Sequence, residues 1–231
     1  MKVFITGSSG FIGSELVKHL GQKYEIIKYS LGEGQDILNF EQLKSAMKGC
    51  DVVVHLAAIK APFPDKNWSE YFYSNCIGTF NVAEAALQNK VKRLIYASST
   101  TYYGIENGIP FPKPIKESNP VVTQFATADA LSCRDCDIAY STSKVIAEQI
   151  LANYGLMKKT EVIILRLGPT RPTGVFKPFL GTQVKIENVV QAIEKAIALD
   201  KQIWYEAITI LDDIEVADIS KAKNLLGYTP I

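Results

Sequence analysis

The apolar positions along this chain switch between two periods. Lys2-Val-Phe-Ile-Thr6 is a short β-branched and aromatic run, and Phe11, Ile12, Leu16, Val17 and Leu20 follow it at helical spacing, so strand, turn and helix are expected in that order. A second strand is expected over Tyr24 to Tyr29, a very short third near Asp36-Ile37, and a helix from Phe40 to Met47. Asp51-Val-Val-Val-His-Leu56 is apolar throughout, as required where helices cover both faces of a parallel sheet. The same reading gives a helix from Trp68 to Leu87, strands from Arg93 to Ser98 and Glu161 to Arg166, and between them a helix from Tyr140 to Tyr154. Val189 to Leu199 reads as an amphipathic helix, Ile203 to Leu211 as a strand and Ile219 to Leu226 as a closing helix. The β-α alternation points to an α/β fold with a doubly wound parallel sheet, and right-handed crossovers place the ligand crevice at the carboxyl ends of its strands.

One stretch breaks the rhythm. Residues 100–139 carry Pro110, Pro112, Pro114 and Pro120, which oppose regular helix, and so long a connection inside a domain is expected to form a wall of a substrate pocket. The organisation read from the sequence is a dinucleotide-binding core over residues 1–166 and a small C-terminal substrate-binding appendage over 167–231. Composition narrows the partners. With 25 basic and 24 acidic residues the net charge is +1, which offers no electrostatic footprint for nucleic acid or an anionic membrane surface. No apolar run approaches a bilayer span and no cationic leader opens the chain, so the expected location is cytoplasmic. Four cysteines do not make a disulfide scaffold here; Cys50 and Cys76 fall in apolar segments as small hydrophobes. Cys133 and Cys136 have metal-ligand spacing, but the only histidines, His19 and His55, sit on a helix and in a core strand, so no metal is expected.

The candidate chemistry lies at two places. Gly7, Gly10 and Gly13 stand three apart between strand and helix, where glycine permits a tight turn, close approach of a pyrophosphate and close helix packing. The helix amino end then offers amides and partial positive charge to phosphates. The acidic residue that usually follows the second strand and holds the adenosine ribose is replaced by Ser30, so NAD and NADP both remain open, with NAD slightly favoured. Tyr140 and Lys144, four apart, share one helical face. A neighbouring ammonium stabilises a phenolate; moving a phenol from about 10 to neutrality takes roughly 4 kcal/mol. Ser98 and Ser99 end a core strand, where a hydroxyl can hold a substrate oxygen.

These motifs, with Asp36-Ile37, His55-Leu-Ala-Ala58, Lys60, Asn75-Cys-Ile-Gly-Thr79, Ser98-Ser-Thr-Thr-Tyr-Tyr-Gly104 and Tyr140-Ser-Thr-Ser-Lys144, resemble the extended short-chain dehydrogenases/reductases, and within them the UDP-galactose 4-epimerase-like, NAD-dependent epimerase/dehydratase family. The resemblance implies a Rossmann fold and a catalytic set of Ser99, Tyr140 and Lys144. It also implies cofactor contacts from Gly7, Gly10, Phe11, Ile12, Gly13, Ser30, Asp36, Ile37, Leu56, Ala57, Ala58, Lys60 and Asn75, with Tyr140 and Lys144 facing the nicotinamide side. It further implies a homodimer and a small-molecule substrate, with a nucleotide sugar as leading candidate. Thr100-Thr101 stands where the family's dehydratases carry Asp-Glu, which argues against water elimination by that route. The expectation is therefore an NAD(P)-dependent epimerase or oxidoreductase acting on a secondary alcohol or ketone. Two alternatives stand beside it: an NADPH-dependent reductase of a non-nucleotide carbonyl compound, and a non-catalytic cofactor-sensing protein.

Overall fold

Apolar runs too continuous to face water on either side build the centre of the molecule. A computed structural model describes residues 1–60, 65–104, 113–124, 135–172, 182–212 and 216–231. Six parallel strands form one sheet in the order β2-β1-β3-β4-β5-β8: β1 (Lys2–Thr6), β2 (Glu25–Tyr29), β3 (Val52–His55), β4 (Arg93–Ser99), β5 (Glu161–Leu167) and β8 (Tyr205–Ile210). Every residue of β3, β4 and β5 is buried, whereas the edge strand β2 exposes Glu25 and Lys28. A parallel strand is covered on both faces, so the hydrophobic runs of the sequence mark the middle of the sheet.

Helices α1 (Phe11–Leu20), α6 (Ile186–Ala198) and α7 (Ser220–Leu226) cover one face, where Val3, Ile5, Val54, Ile95 and Ile163 meet Leu16, Ile193 and Leu226. Helices α2 (Phe40–Ala46), α4 (Gly78–Gln88) and α5 (Asp135–Leu156) cover the other, where Phe4, Val53, Leu94 and Ile164 meet Leu43, Val82 and Leu151. This is the Rossmann-like α/β arrangement expected from the sequence. The chain after β5 returns to the same sheet through α6 and β8, by way of a two-residue ladder between β6 (Thr170–Arg171) and β7 (Val184–Lys185).

Three differences from the expected elements have physical reasons. Asp36-Ile37 is a turn and not a third strand: Ile37 is buried against Gly78, where an added Cβ would lie 2.4 Å from its Cδ1, so its hydrophobicity serves helix packing. The single helix expected over Trp68–Leu87 is α3 (Trp68–Tyr71), a π-helical turn (Phe72–Ile77) and α4 in succession. Asn67 and Glu70 start it with a reciprocal capping box. Helix α5 begins at Asp135, earlier than Tyr140, which shortens the proline-rich connection. Within that connection, Ile115 bridges Ala217 in parallel, tying it to the C-terminal segment. The Lys113–Pro114 peptide is cis. Residues 105–112 and 125–134, including Cys133, lie outside the described residues. Cys50 and Cys76 are buried free thiols.

Candidate active site

Strand order decides where a ligand can sit. The chain runs from β1 outward to β2, then crosses back to β3 on the other side of β1, and the crevice opens at the carboxyl ends of β1 and β3, where that reversal occurs. A cavity of about 300 Å³ lies there, and Gly7, Gly10, Ser30, Asp36, Leu56 and Ala57 are among the residues lining it. Gly7 adopts φ +68°, and a Cβ on it would stand 2.8 Å from the Ala57 amide nitrogen, so only glycine lets the first turn press against the end of β3. Gly13 lies behind the turn, with Gly7 O 2.2 Å from where its Cβ would be, and lets α1 pack close. Gly10 caps α1 without a side-chain bond, and its Cβ position meets only Gly7 O, at 3.2 Å. The glycine pattern thus leaves a side-chain-free cradle at a helix amino end, which fits a pyrophosphate.

The floor is fixed by a hydrogen-bond relay through a buried histidine. His55 Nδ1 lies 2.7 Å from Thr6 Oγ1 and Nε2 lies 2.9 Å from Thr79 Oγ1. Thr79 spends its hydroxyl proton on Asn75 O at 2.6 Å, so it accepts from Nε2–H, and Nδ1 accepts from Thr6. Thr6 Oγ1 in turn accepts from the amides of Leu56 and Ala57, both at 3.2 Å. Burial, and then the Lys144 charge, lower the His55 pKa to about 3, so the ring works as a neutral strut. The relay was not evident in the sequence beyond the placement of His55 in a core strand.

Asn75 sits behind the cleft. Its Oδ1 accepts from Ile59 N at 2.8 Å, and its Nδ2 donates to Ile59 O and to Ser143 Oγ, both at 2.9 Å. Ser143 Oγ donates to Tyr140 O at 2.7 Å, so one amide side chain connects the loop after β3 to the helical turn bearing Tyr140. Lys60 and Phe11 are exposed and Ile12 is partly buried beside Gly13, and none of the three lines the cavity. Ala58 and Ile37 line the cavity.

Lys144 is buried and crosses from α5 to β4, donating from Nζ to Ala97 O at 2.7 Å, two residues before Ser99. Its ammonium lies 4.6 Å from the Tyr96 ring centre and 5.9 Å from that of Tyr140. Burial lowers its pKa to about 7, against the opposing pull of Glu148 and then Cys76. Tyr140 packs edge-on against Tyr71 at 6.5 Å, on the Ile59 side of the cleft. Ser99 Oγ accepts from Thr101 N at 3.2 Å and caps the short turn Thr100–Tyr103. Tyr140 and Lys144 lie together on one face of α5, as their spacing predicted, Lys144 reaching Ala97 on β4, and Ser99 begins the turn that follows that strand.

Two charged residues behind the site escaped the sequence reading. Glu148, one helical turn beyond Lys144 and fully buried, accepts from Ser98 Oγ at 2.5 Å and from Arg166 Nη2 at 2.8 Å. Arg166 lies 3.4 Å over the Tyr102 ring, and its Nη1 donates to Tyr103 OH at 2.9 Å. The signal was present: an arginine inside the apolar run Val162–Leu167 needs a buried anion, and Glu148 continues the Tyr140–Lys144 spacing.

The NAD-dependent epimerase/dehydratase family model matches residues 3–217. The chain belongs to that family. It is 30% identical over 177 residues to the L-arabinose 1-dehydrogenase (NAD(P)(+)) of Haloferax volcanii, covering 72% of this chain and 66% of that protein. It is 30% identical over 212 residues to the UDP-glucose 4-epimerase of Vibrio cholerae, covering 85% of this chain and 58% of the relative. In fold it is similar to a short-chain dehydrogenase/reductase superfamily protein of Agrobacterium tumefaciens with bound NAD: TM-score 0.81, 17% identity, 100% of this chain and 93% of the other. It is likewise similar to the UDP-glucuronic acid 4-epimerase of Bacillus cereus in complex with NAD, with TM-score 0.76, 21% identity, and coverage of 100% and 94%. The chain spans no more than about two thirds of the length of these two curated relatives. Among the described residues no helix is long and apolar enough to cross a membrane, and no group of three or more potential metal ligands occurs.

Proposed function

We propose that the protein is an NAD(P)-dependent oxidoreductase or epimerase acting at a secondary alcohol or ketone of a sugar, with a nucleotide sugar as the leading substrate class. The observation that carries this reading is the buried Lys144, which reaches from α5 to Ala97 on β4 with its ammonium 5.9 Å from the Tyr140 ring centre. The nicotinamide supplies hydride acceptance and donation when bound. Tyr140 takes the proton from the substrate hydroxyl, or returns it, and Ser99 holds that oxygen by a hydrogen bond. Lys144, as an ammonium near the phenol, favours the phenolate and offers its remaining N–H groups to the cofactor ribose. Gly7, Gly10 and the amino end of α1 hold the pyrophosphate, Asp36 and Ile37 border the adenine, and Leu56 to Ala58 line the floor. The segment after residue 166 and the proline-rich connection supply the substrate side.

A second reading takes an unactivated sugar or another small carbonyl compound as substrate. The names of the L-arabinose and uronate dehydrogenases among the relatives favour it. Nicotinamide absorbance with UDP-glucose, UDP-glucuronate, L-arabinose and galacturonate separates the two. Dinucleotide retained through purification indicates an epimerase, and turnover-linked exchange indicates a dehydrogenase. For the chemistry, Tyr140→Phe is expected to lower kcat by about 10²- to 10⁴-fold while NADH affinity stays within about threefold. Undiminished turnover in that variant would remove the phenol from the mechanism. Retained NADH binding by a wild-type protein that turns over none of these substrates would favour a cofactor sensor.

The assembly proposed is a homodimer. Tyr73, Ile77 and Phe80 form an exposed apolar stripe along the π-helical turn and α4, 62%, 47% and 45% exposed. Analytical ultracentrifugation of Ile77→Glu against wild type tests it: a wild-type monomer at micromolar concentration would sink it.

A further inference from the structure

The net charge of +1 conceals a segregation that only the fold brings out. All strands of the main sheet are parallel, so the segments that enter them share one edge, opposite the cleft. Backbone hydrogen bonds hold those segments side by side: Asp51 N donates to Lys2 O at 2.9 Å, Lys92 N to Asp51 O at 3.0 Å and Glu161 N to Lys92 O at 2.9 Å. Arg93 Nη2 draws Lys201 O to the same edge at 3.3 Å. Lys48 precedes β3, Lys90 and Lys92 precede β4, Lys158 and Lys159 precede β5, and Lys201 precedes β8. All six are exposed, and none has an ion-pair partner among the described residues. The acids of these segments are Asp51 and Asp200, which leaves an excess of four positive charges on one edge. Lys2 and Lys23 do not add to it, because Glu25 and Glu194 pair with them. With neighbouring strands about 4.8 Å apart, the excess is spread over about 15 Å.

Helix dipoles do not account for the cluster. A cation complements the carboxyl end of a helix within its last turn, as Lys44 and Lys195 do in α2 and α6, whereas α4 and α5 carry no basic residue there. The lysines stand past those helices, and two of them hold the left-handed backbone that favours glycine, Lys90 at φ 57° and Lys158 at φ 55°. The turns after α2 and α7 use glycine for that conformation, Gly49 at φ 74° and Gly227 at φ 64°. Lysine is thus retained against backbone strain at two adjacent loops, with both side chains in solvent. Apolar tips stand among the charges: Leu156 and Met157, directly before Lys158 and Lys159, are 71% and 52% exposed. Unpaired ammonium groups around exposed aliphatic side chains match what an anionic bilayer presents. Its headgroups attract each lysine for roughly fivefold in partitioning, and its acyl boundary takes Leu and Met. A nucleic acid would meet the same charges, but its bases stack on aromatic faces, and these two tips are aliphatic.

We propose that the amino edge of the sheet docks on an anionic lipid bilayer, with Lys90, Lys92, Lys158 and Lys159 against the headgroups and Leu156 and Met157 in the boundary region. The cleft at the opposite edge then faces away from the bilayer. Nothing in this depends on the cofactor reading. Co-sedimentation with vesicles tests it. At about 0.1 M salt the wild type should partition onto phosphatidylcholine vesicles containing about 30% phosphatidylserine at least about tenfold more than onto phosphatidylcholine alone, and should come off at about 0.5 M salt. Lys158→Glu with Lys159→Glu should weaken that binding by about tenfold or more, and Leu156→Ser with Met157→Ser by about threefold or more. Lys28→Glu with Lys116→Glu changes the net charge by the same amount at exposed positions away from this edge, and should leave binding within about threefold of wild type. Equal wild-type partitioning onto the two vesicle types overturns the proposal. So does an equal loss in the two lysine double variants, which would mean that net charge alone is sensed. Unchanged vesicle binding by the Leu156 and Met157 double variant, together with tighter binding of a single-stranded DNA oligonucleotide by the wild type, would assign the edge to nucleic acid instead.

Discussion

Two buried arginine–glutamate pairs brace the sheet at opposite ends of the same strands. At the amino edge Arg93, the first residue of β4, pairs with Glu161, the first of β5, at 2.5 Å, and its guanidinium also donates to the carbonyls of Ala196, Leu199 and Lys201. The remaining donors of that arginine close the carboxyl end of α6. At the carboxyl edge Arg166 pairs with Glu148, and what remains goes to Tyr102, Tyr103 and, through Tyr103 OH, Thr209 at 2.9 Å. Glu148 meanwhile grips Ser98, next to Ser99, and lies one turn from Lys144. The amino-edge pair is spent on backbone, the carboxyl-edge pair on side chains that flank the proposed chemistry. In an open parallel sheet the crevice lies at the carboxyl ends, so the same pairing holds architecture at one edge and a site at the other.

Breaking one partner separates these roles. Arg93→Met leaves Glu161 buried without its counter-ion and strands several carbonyls, and urea denaturation should show a loss of about 3–5 kcal/mol. NADH affinity of the folded protein should be unaltered; a change of more than about threefold would show that the amino edge communicates with the cleft. Glu148→Gln leaves Arg166 unpaired, with a smaller expected loss of about 2–4 kcal/mol because Gln still accepts from Ser98 and Arg166. It should also change the site. The carboxylate that raises the Lys144 pKa is gone, so the pH at which NADH binding weakens should move downward. Equal stability losses with identical pH profiles of binding would erase the distinction between the two edges.

The sheet was legible because its central strands are the apolar runs themselves: Val52–His55, Arg93–Ser99 and Glu161–Leu167 have no solvent face to interrupt them. The glycine turn and the Tyr140–Lys144 pair were legible because each depends on spacing within one local element. What was not legible is long-range. His55 finds Thr6 and Thr79 across 49 and 24 residues, and Arg93 finds the end of α6 across more than 100. Ile37 misled because burial against a helix glycine and burial in a strand leave the same apolar mark on the sequence. Ser9 and Ser30 meet 21 residues apart, where the sequence shows only the absence of an acidic residue.

A third variant isolates Lys144 from its neighbours. Its folded pKa, lowered to about 7, lies below the unfolded value of 10.5, so between those limits the unfolded chain binds more protons than the folded one. Stability from this group therefore rises with pH across that window, by no more than about 1.4 kcal/mol per unit, and is lost as pH falls toward 7. Below 7 the ammonium stays charged inside the fold, beside the carbonyl of Ala97 and the faces of Tyr96 and Tyr140. Lys144→Met removes that buried charge while keeping the length and apolar stem of the side chain. The variant should be more stable than wild type near pH 6, with the difference shrinking as pH approaches 10. Its NADH affinity should lack the pH dependence around neutrality that is expected of the wild type. Parallel stability curves for the two proteins across pH 6–10 would mean that Lys144 is not the group titrating there, and the carboxyl edge would then differ from the amino edge in geometry alone.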